Sequence, residues 1–151
     1  MNINKYTEKA REAVAAALEL AQQANNPNVE PEHLLVALVE QRDGIVPEIV
    51  RKLNVDPAQL ARAARELLKK LSSAYGGAQP AMSSRFKLVT DQAQAEADRL
   101  KDEYVSTEHL FVAIADESGR SPATQLLKQQ GICAFRAAQR QPVVPLLIGK
   151  T

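Results

Sequence analysis

The sequence is poor in the features that mark several classes of protein. It has no tryptophan, aromatic residues make up 4% of it, and Cys133 is its one cysteine, so no intrachain disulfide can form. The longest apolar run near either end is Leu146-Leu147-Ile148, which is far too short to span a bilayer. Residues 1–5 contain no apolar segment of the kind that a secretory signal needs. We therefore expect a soluble, cytoplasmic protein.

The sequence also lacks a surplus of charge of either sign. Its 19 Lys and Arg residues are matched by 18 Asp and Glu residues, and the net charge is +1. A basic run from Arg62 to Lys70 is interrupted by Glu66, which is more typical of a solvated helix face than of a DNA-reading helix. We therefore expect neither nucleic acid nor an anionic membrane as a partner.

One stretch of the chain occurs twice. Glu32-His33-Leu34-Leu35-Val36-Ala37-Leu38 returns as Glu108-His109-Leu110-Phe111-Val112-Ala113-Ile114, 76 positions later (108 − 32). Downstream, Gly44 returns as Gly119 with a shift of 75 (119 − 44), as a one-residue loop deletion would produce. A repeat that holds over roughly a hundred positions indicates a fold built from two copies of one unit.

Composition and the spacing of apolar residues predict helices in both copies. Ala, Leu, Glu, Gln, Lys and Arg dominate, and all of them favour helix. Thr7 is a good N-cap for the first helix. The second helix, at residues 31–39, is apolar nearly all round, which predicts a buried helix. In the second copy, Ser106 or Thr107 is predicted to cap the sixth helix and Gly131 to end the seventh.

The predicted fold is all-α. Two four-helix repeats, related by a pseudo-twofold axis, share one core in a compact domain, because each repeat needs the other to cover its apolar face. The predicted boundaries are residues 1–72 for the first repeat, 73–84 for a linker rich in Ser, Gly and Pro, 85–140 for the second repeat with a short eighth helix at 134–140, and 141–151 for an irregular tail.

The two Glu-His pairs, Glu32-His33 and Glu108-His109, admit a catalytic or metal-binding interpretation, since two half-sites could meet on the pseudo-twofold axis. However, each pair stands at a helix start, and the chain has no His-x-x-x-His or Cys-x-x-Cys spacing. The favoured interpretation is structural: each Glu interacts with the helix terminus, and each His hydrogen-bonds under the preceding loop. Cys133, in the most irregular part of the chain, is a weak candidate nucleophile. We expect no catalytic residue and no metal ligand.

Gly149-Lys150-Thr151 is similar to the end of a phosphate-binding loop. That pattern requires glycine at position 144, where this chain has Val144. This signal is therefore rejected. Because composition, periodicity and spacing show no chemistry, we expect that the chain itself is not an enzyme and holds no cofactor.

The duplicated pattern resembles the N-terminal repeat domain of Clp-type AAA+ ring ATPases. The likeness is carried by residues 6–13, 29–38 and 99–110. The Lys-Asp-Glu-Tyr-Val version at residues 101–105 is most similar to the disaggregase branch of that family, ClpB. The likeness covers residue 1 to about residue 132 and is specific, because both motif copies fall at the spacing of the family. Residues 133–151 depart from the family pattern.

The resemblance implies a function. Such a domain sits at the entrance of a hexameric ring, binds unfolded or aggregated polypeptides, and hands them to the ATP-driven pore during protein disaggregation in the stress response. ATP and Mg²⁺ would belong to the AAA+ modules, which this chain does not contain. The isolated domain is expected to be a monomer.

The resemblance also implies a substrate-binding site, which we expect in a groove between the two repeats. The polar contacts carried over from the family are Thr7, Asp102, Glu103 and Glu108. The candidate apolar groove contacts are Leu88, Val89, Leu100 and Leu110. At helical spacing, apolar residues such as these four more often belong to the core.

Three other functions stay open. The first is the docking of adaptor proteins, as in the protease-partnered ClpA and ClpC branches. In ClpC-like domains the Glu of each Glu-His pair serves a phosphoarginine pocket, so Glu32 and Glu108 are candidates for that role. The second is an enzyme that uses the Glu-His pairs, which stoichiometric zinc would support. The third is an oligomerisation domain, which a monomeric state would exclude.

Overall fold

The computed structural model describes residues 2–71, 73, 79–117 and 121–131, which are mostly helical. A short 3-10 helix, Ile3–Lys5, comes first. The α-helices are α1 (Glu8–Gln23), α2 (Pro31–Glu40), α3 (Ile45–Lys52), α4 (Pro57–Leu68), α5 (Ser84–Arg99), α6 (Thr107–Ala115) and α7 (Pro122–Gln129). Two short strands, β1 (Asn28–Val29) and β2 (Ala81–Met82), pair in parallel. The prediction of an all-α fold is confirmed. Within the described residues, no helix combines the length and the apolar character that crossing a membrane would require.

The helices repeat with the shift found in the sequence. α1 and α5 each have 16 residues and begin 76 positions apart (84 − 8). α2 and α6 also begin 76 positions apart (107 − 31), whereas α3 and α7, with 8 residues each, begin 77 apart (122 − 45). The predicted duplication is therefore observed for three helices of each repeat. The predicted eighth helix at 134–140, Cys133 and the tail at 141–151 lie outside the described residues.

Reciprocal backbone pairing joins the two repeats. Val29, which precedes α2, pairs with Met82, which precedes α5. Tyr6, which precedes α1, forms a parallel bridge with Val105, which precedes α6. Positions 29 and 105 differ by 76, and so do positions 6 and 82. Each repeat thus supplies equivalent segments to both pairings, which is the reciprocity expected of a twofold relation.

The end of the predicted linker differs from the prediction. Ala81–Met82 form β2, the Ser83 hydroxyl caps α5 by accepting a hydrogen bond from the Phe86 N–H at 3.0 Å, and α5 begins at Ser84. The strand was missed because its partner, β1, lies far away in the sequence and two residues are too few to show an alternating pattern. Residues 74–78 of the predicted linker lie outside the described residues.

α2 and α6 form the centre of the molecule. Every residue of α2 from Pro31 to Val39 is buried, and every residue of α6 is buried except Glu108, which confirms the prediction of a buried second helix. α1 and α4 pack against α2, α5 packs against α6, and α2 contacts α6. The largest fully buried side chains are Phe86, Phe111, Leu34, Leu35, Leu38, Ile49, Leu60, Leu110, Ile114 and Leu127.

The predicted helix caps and stops are present. Thr7 Oγ1 accepts a hydrogen bond from the Ala10 N–H at 3.2 Å, and Ser106 is the N-cap of α6. Gly131 follows α7 with a φ of 81°, and Asn54 takes the equivalent position after α3 with a φ of 66°. These left-handed residues end their helices in the usual way.

His33 hydrogen-bonds under the loop before α2, as predicted. Its Nδ1 accepts the Glu30 backbone N–H at 2.9 Å, so the proton of the neutral ring lies on Nε2, 2.9 Å from Asn26 Oδ1. The side chain is fully buried. Burial lowers the pKa of His33, although the nearby Glu32 carboxylate and the hydrogen bond with the Glu30 backbone act in the opposite direction. The neutral imidazole is therefore the form that fits the fold.

We predict that His33 makes the domain less stable as the pH falls. In the unfolded chain the histidine has a pKa of about 6.5, whereas the pKa of folded His33 is lower. Above about pH 6.5 the ring is neutral in both states, and its stabilising contacts are fully present. Below it the unfolded state takes up the proton first, so the free energy of unfolding decreases until the pH passes the folded pKa. Urea denaturation at pH values of about 7.5 and about 5.5 measures this loss. The loss should be smaller in His33→Gln, and an equal loss in that variant would contradict the prediction.

Candidate functional site

Each repeat contains a cleft, and the two clefts occupy equivalent positions. The α5/α6 cleft, of about 520 Å³, lies between α5, the end of α6 and the start of α7. The α1/α2 cleft, of about 390 Å³, lies between α1 and α2. Leu88, Val89, Gln92, Ala113, Asp116 and Glu117 of the first cleft correspond, at a shift of 76, to Glu12, Ala13, Ala16, Ala37, Glu40 and Gln41 of the second. The same geometry therefore carries two different sets of side chains.

The α5/α6 cleft presents apolar surface. Leu88, at its mouth, is 66% exposed, the highest value for any large hydrophobic side chain among the described residues. Val89 and Ala113 lie in the floor and are almost fully buried, and Pro122 closes one side. An exposed leucine above an apolar floor can bury an apolar side chain of a partner.

Arg85 forms one wall of this cleft and connects the two repeats. Its Nη2 donates to Glu32 Oε2 at 2.8 Å and to Ser121 Oγ at 2.7 Å, and its Nε donates to Glu117 Oε2 at 2.8 Å. Burial acts to lower the pKa of Arg85, but the hydrogen bonds to Glu117 and Glu32 outweigh it, so the pKa is raised and the guanidinium stays charged. The equivalent residue in the first repeat is Lys9 (85 − 76). Sequence reasoning missed Arg85, because a single arginine at a helix start carries no local signal of such distant partners.

Glu32 has a different partner from the one predicted. Its side chain is 1% exposed, and besides Arg85 it accepts a hydrogen bond from the Ala123 N–H, in the first turn of α7, at 3.3 Å. The carboxylate therefore does interact with a helix N-terminus, but with that of α7 in the other repeat. A ligand that needs Glu32, such as phosphoarginine, would have to displace Arg85. Glu108, the equivalent residue, is partly exposed on α6.

The predicted polar contacts lie around the bridge between Tyr6 and Val105. The Thr7 N–H donates to the Val105 carbonyl oxygen at 2.9 Å, which brings Thr7 close to the segment that carries Asp102 and Glu103. Asp102 and Glu103 are exposed. Thr7 thus lies beside Val105, and the binding role of the four predicted polar residues stays a prediction.

The predicted apolar contacts fall in three places. Leu88 and Val89 line the α5/α6 cleft, which is formed by residues of the second repeat and not by both repeats as expected. Leu100 is partly buried at the C-terminal end of α5, about 18 Å along the helix from Leu88 at 1.5 Å per residue. Leu110 has no exposed surface and packs in the core, which was the alternative considered for these residues.

Ser106, His109 and Asp102 make the contacts of a hydrolytic triad. His109 Nε2 lies 2.9 Å from Asp102 Oδ2, and its Nδ1 lies 3.0 Å from Ser106 Oγ. However, His109 Nδ1 also accepts the Ser106 backbone N–H at 2.9 Å, and Ser106 Oγ accepts the backbone N–H of His109, which together form a capping box. In the first repeat His33 makes the same kind of contacts, although no serine hydroxyl is present there. These contacts are therefore explained by helix capping and not by catalysis. Within the described part of the chain, no group of three or more His, Cys, Asp or Glu residues could hold a metal ion.

The sequence matches one protein family over most of its length. The family model described as the Clp repeat (R) N-terminal domain matches residues 5–130. The chaperone protein ClpB of Bdellovibrio bacteriovorus is 41% identical over 132 residues, which are 87% of this chain and 15% of that protein. The chaperone protein ClpB of Mycobacterium tuberculosis is 40% identical over 126 residues, which are 83% of this chain and 15% of that protein. The chain therefore spans about 15% of the length of these relatives.

Solved structures share the fold at lower identity. The Hsp104 N-terminal domain from Candida albicans has a TM-score of 0.75 at 22% identity and covers 84% of this chain and 82% of its own. A ClpV N-domain solved in complex with a VipB peptide has a TM-score of 0.76 at 16% identity and covers 99% of this chain and 90% of its own. At these identities the likeness is one of fold.

We predict that Arg85→Gln destabilises the domain by about 3 kcal/mol, because it leaves the buried Glu32 carboxylate without a compensating charge. The matched control is Lys9→Gln at the equivalent position. Lys9 forms a 3.8 Å ion pair with Glu12, in which both side chains are about half exposed. Exposed pairs of this kind contribute less than about 1 kcal/mol. Urea denaturation of both variants at neutral pH measures the difference, and equal losses would show that Arg85 has no special role.

Proposed function

The chain belongs to the family of Clp repeat N-terminal domains, and we propose that it is the substrate-recognition domain of an ATP-dependent protein disaggregase or unfoldase. In this role it binds unfolded or aggregated polypeptides and delivers them to the AAA+ ring of the parent protein. The relatives named ClpB, about 40% identical over most of this chain, favour the disaggregase branch.

In this proposal the chain itself is a binding domain and not an enzyme. ATP and Mg²⁺ act in the AAA+ modules of a parent ring of six subunits, and this domain holds no cofactor. The isolated domain is a monomer, and the parent works in the cytoplasm during the stress response.

The observation that carries the proposal is the exposed Leu88 of the α5/α6 cleft. Unfolded and aggregated chains differ from folded ones by the apolar side chains that they expose. A cleft with an exposed leucine at its mouth and Val89 and Ala113 in its floor can cover such side chains without requiring a particular sequence. The ClpV N-domain bound to a VipB peptide is a precedent for peptide binding by this fold.

The polar group around Thr7 adds a second contact region to the proposal. Asp102 follows the C-terminal end of α5, whereas Leu88 lies near the N-terminal end, and the intervening helix spans about 18 Å. At about 3.3 Å per residue, an extended segment of about six residues covers that distance. We propose that Asp102, Glu103 and Glu108 contact the polar groups of a segment whose apolar side chains lie near Leu88.

The second candidate function is the docking of adaptor proteins, or of phosphoarginine, as in ClpC or ClpA. The ClpV N-domain in complex with a VipB peptide shares this fold and is compatible with adaptor docking. Binding of phosphoarginine at Glu32 is less suitable, because Arg85 already pairs with that carboxylate. Glu108 stays available to an adaptor.

We predict that a permanently unfolded polypeptide shifts the amide NMR signals of the α5/α6 cleft and of the segment at residues 102–108, and that Leu88→Glu weakens its binding about tenfold. The substitution introduces a glutamate, which is the residue type of Glu12 at the equivalent position of the other repeat. It removes about 1.5 kcal/mol of favourable binding free energy that comes from the apolar contact of Leu88. The matched control is Ile3→Glu, an exposed apolar residue outside the cleft, which should bind as the unchanged chain does. Unchanged binding by Leu88→Glu would contradict this site. Glu103→Gln together with Glu108→Gln tests the polar region separately.

A further inference from the structure

The α1/α2 cleft has the apolar floor of its counterpart but a different rim. Ala13 and Ala37 form the floor and are 1% and 7% exposed. Ala16 lies beside them on α1. The exposed leucine of the other cleft is replaced here by Glu12 (88 − 76). The floor can therefore still cover an aliphatic chain, whereas the mouth of the cleft has become anionic.

Three carboxylates line this cleft. Glu12 and Glu19 lie seven positions apart on α1, which is two helical turns, so they share one face about 10 Å apart along the axis. Glu40, at the end of α2, stands on the opposite side. Glu12 and Glu19 are both exposed. The carboxylates thus border the alanine floor on two sides.

The cations near the rim neutralise it only in part. Arg65 holds Glu40 in a bidentate ion pair from α4. Lys9 lies 3.8 Å from Glu12, at the limit of an ion pair, and both side chains are about half exposed. Glu19 accepts a hydrogen bond from the neutral amide of Gln23 at 3.3 Å. Three carboxylates against two cations leave one negative charge in excess, and it lies on α1 at Glu19, whose hydrogen bond comes from a neutral amide.

We propose that the α1/α2 cleft is a second docking surface and that it binds lysine- or arginine-bearing segments of unfolded polypeptides. The aliphatic stem of such a side chain lies on the alanine floor, and its cationic head meets Glu12 or Glu19. Because the net charge of the chain is +1, attraction of a cationic segment comes from this local arrangement and not from the molecule as a whole. The proposal rests on the proposed function, the binding of unfolded polypeptides, but not on the α5/α6 cleft. Together, the two clefts would let one domain hold apolar and basic segments of the same unfolded chain.

The experiment uses the full chain and two fluorescent peptides of equal length. One peptide alternates lysine with alanine and leucine, and in the other glutamine replaces every lysine. The test variant is Glu12→Gln with Glu19→Gln. The matched control is Glu48→Gln with Asp98→Asn, which removes the same two charges from exposed positions on α3 and α5.

The test variant should bind the lysine peptide about three- to tenfold more weakly, as expected for the loss of two exposed ion pairs. The control variant should bind it as the unchanged chain does, and neither variant should change the binding of the glutamine peptide. In NMR spectra the lysine peptide should shift the amides of α1 and α2. Unchanged binding by the test variant, an equal loss in the control, or shifts confined to α5 and α6 would each overturn the proposal. Leu88→Glu should weaken binding of the glutamine peptide, which the Glu12→Gln with Glu19→Gln variant leaves unchanged, so failure of the two sites can be told apart.

Discussion

The burial of α2 and α6 on all sides is the constraint on which the rest of the structure depends. A helix with one apolar stripe can be covered from one side, but a helix that is apolar all round has to be enclosed. α2 is covered by α1, α3 and α4 of its own repeat and by α5, α6 and α7 of the other. One repeat alone would leave part of its central helix in water. The reciprocal pairing of Val29 with Met82 and of Tyr6 with Val105 holds the two repeats in the position that completes the enclosure.

Burial also determines how the polar groups at the helix ends are satisfied. A buried N–H or carboxylate costs free energy unless it is paired. His33 and His109 accept hydrogen bonds from the backbone N–H groups that precede α2 and α6. The Glu32 carboxylate accepts hydrogen bonds from Arg85 and from a backbone N–H in the first turn of α7. His33, His109 and Glu32, which could be taken for parts of a metal or acid–base site, are thus accounted for by the capping and charge pairing of buried helix starts, whereas Glu108 is partly exposed on α6.

The duplicated architecture keeps its geometry where it supports the core and changes its chemistry where it meets solvent. The alanine and valine floor of the two clefts is similar in both repeats, because those residues pack against the central helices. At the mouth, Glu12 takes the position that Leu88 has in the other repeat. Lys9 takes the sequence position that corresponds to Arg85. A pseudo-symmetric scaffold can in this way carry two clefts of similar shape and different side-chain chemistry.

The amino-acid sequence by itself determined the helices, their caps and the duplication. Thr7, Ser106 and Gly131 act within one helical turn, and the repeat is visible as a shift in residue order, so neither depends on distant contacts. The tertiary structure alone decided which surfaces stay open. Leu88 and Leu110 are similar apolar residues on successive helices, yet one is 66% exposed and the other fully buried, because exposure depends on the neighbours that the fold supplies. The hydrogen-bond partners of Arg85 are 32 to 53 positions away, and strand β2 exists because β1 lies beside it. Such long-range contacts leave no periodic signal in the sequence.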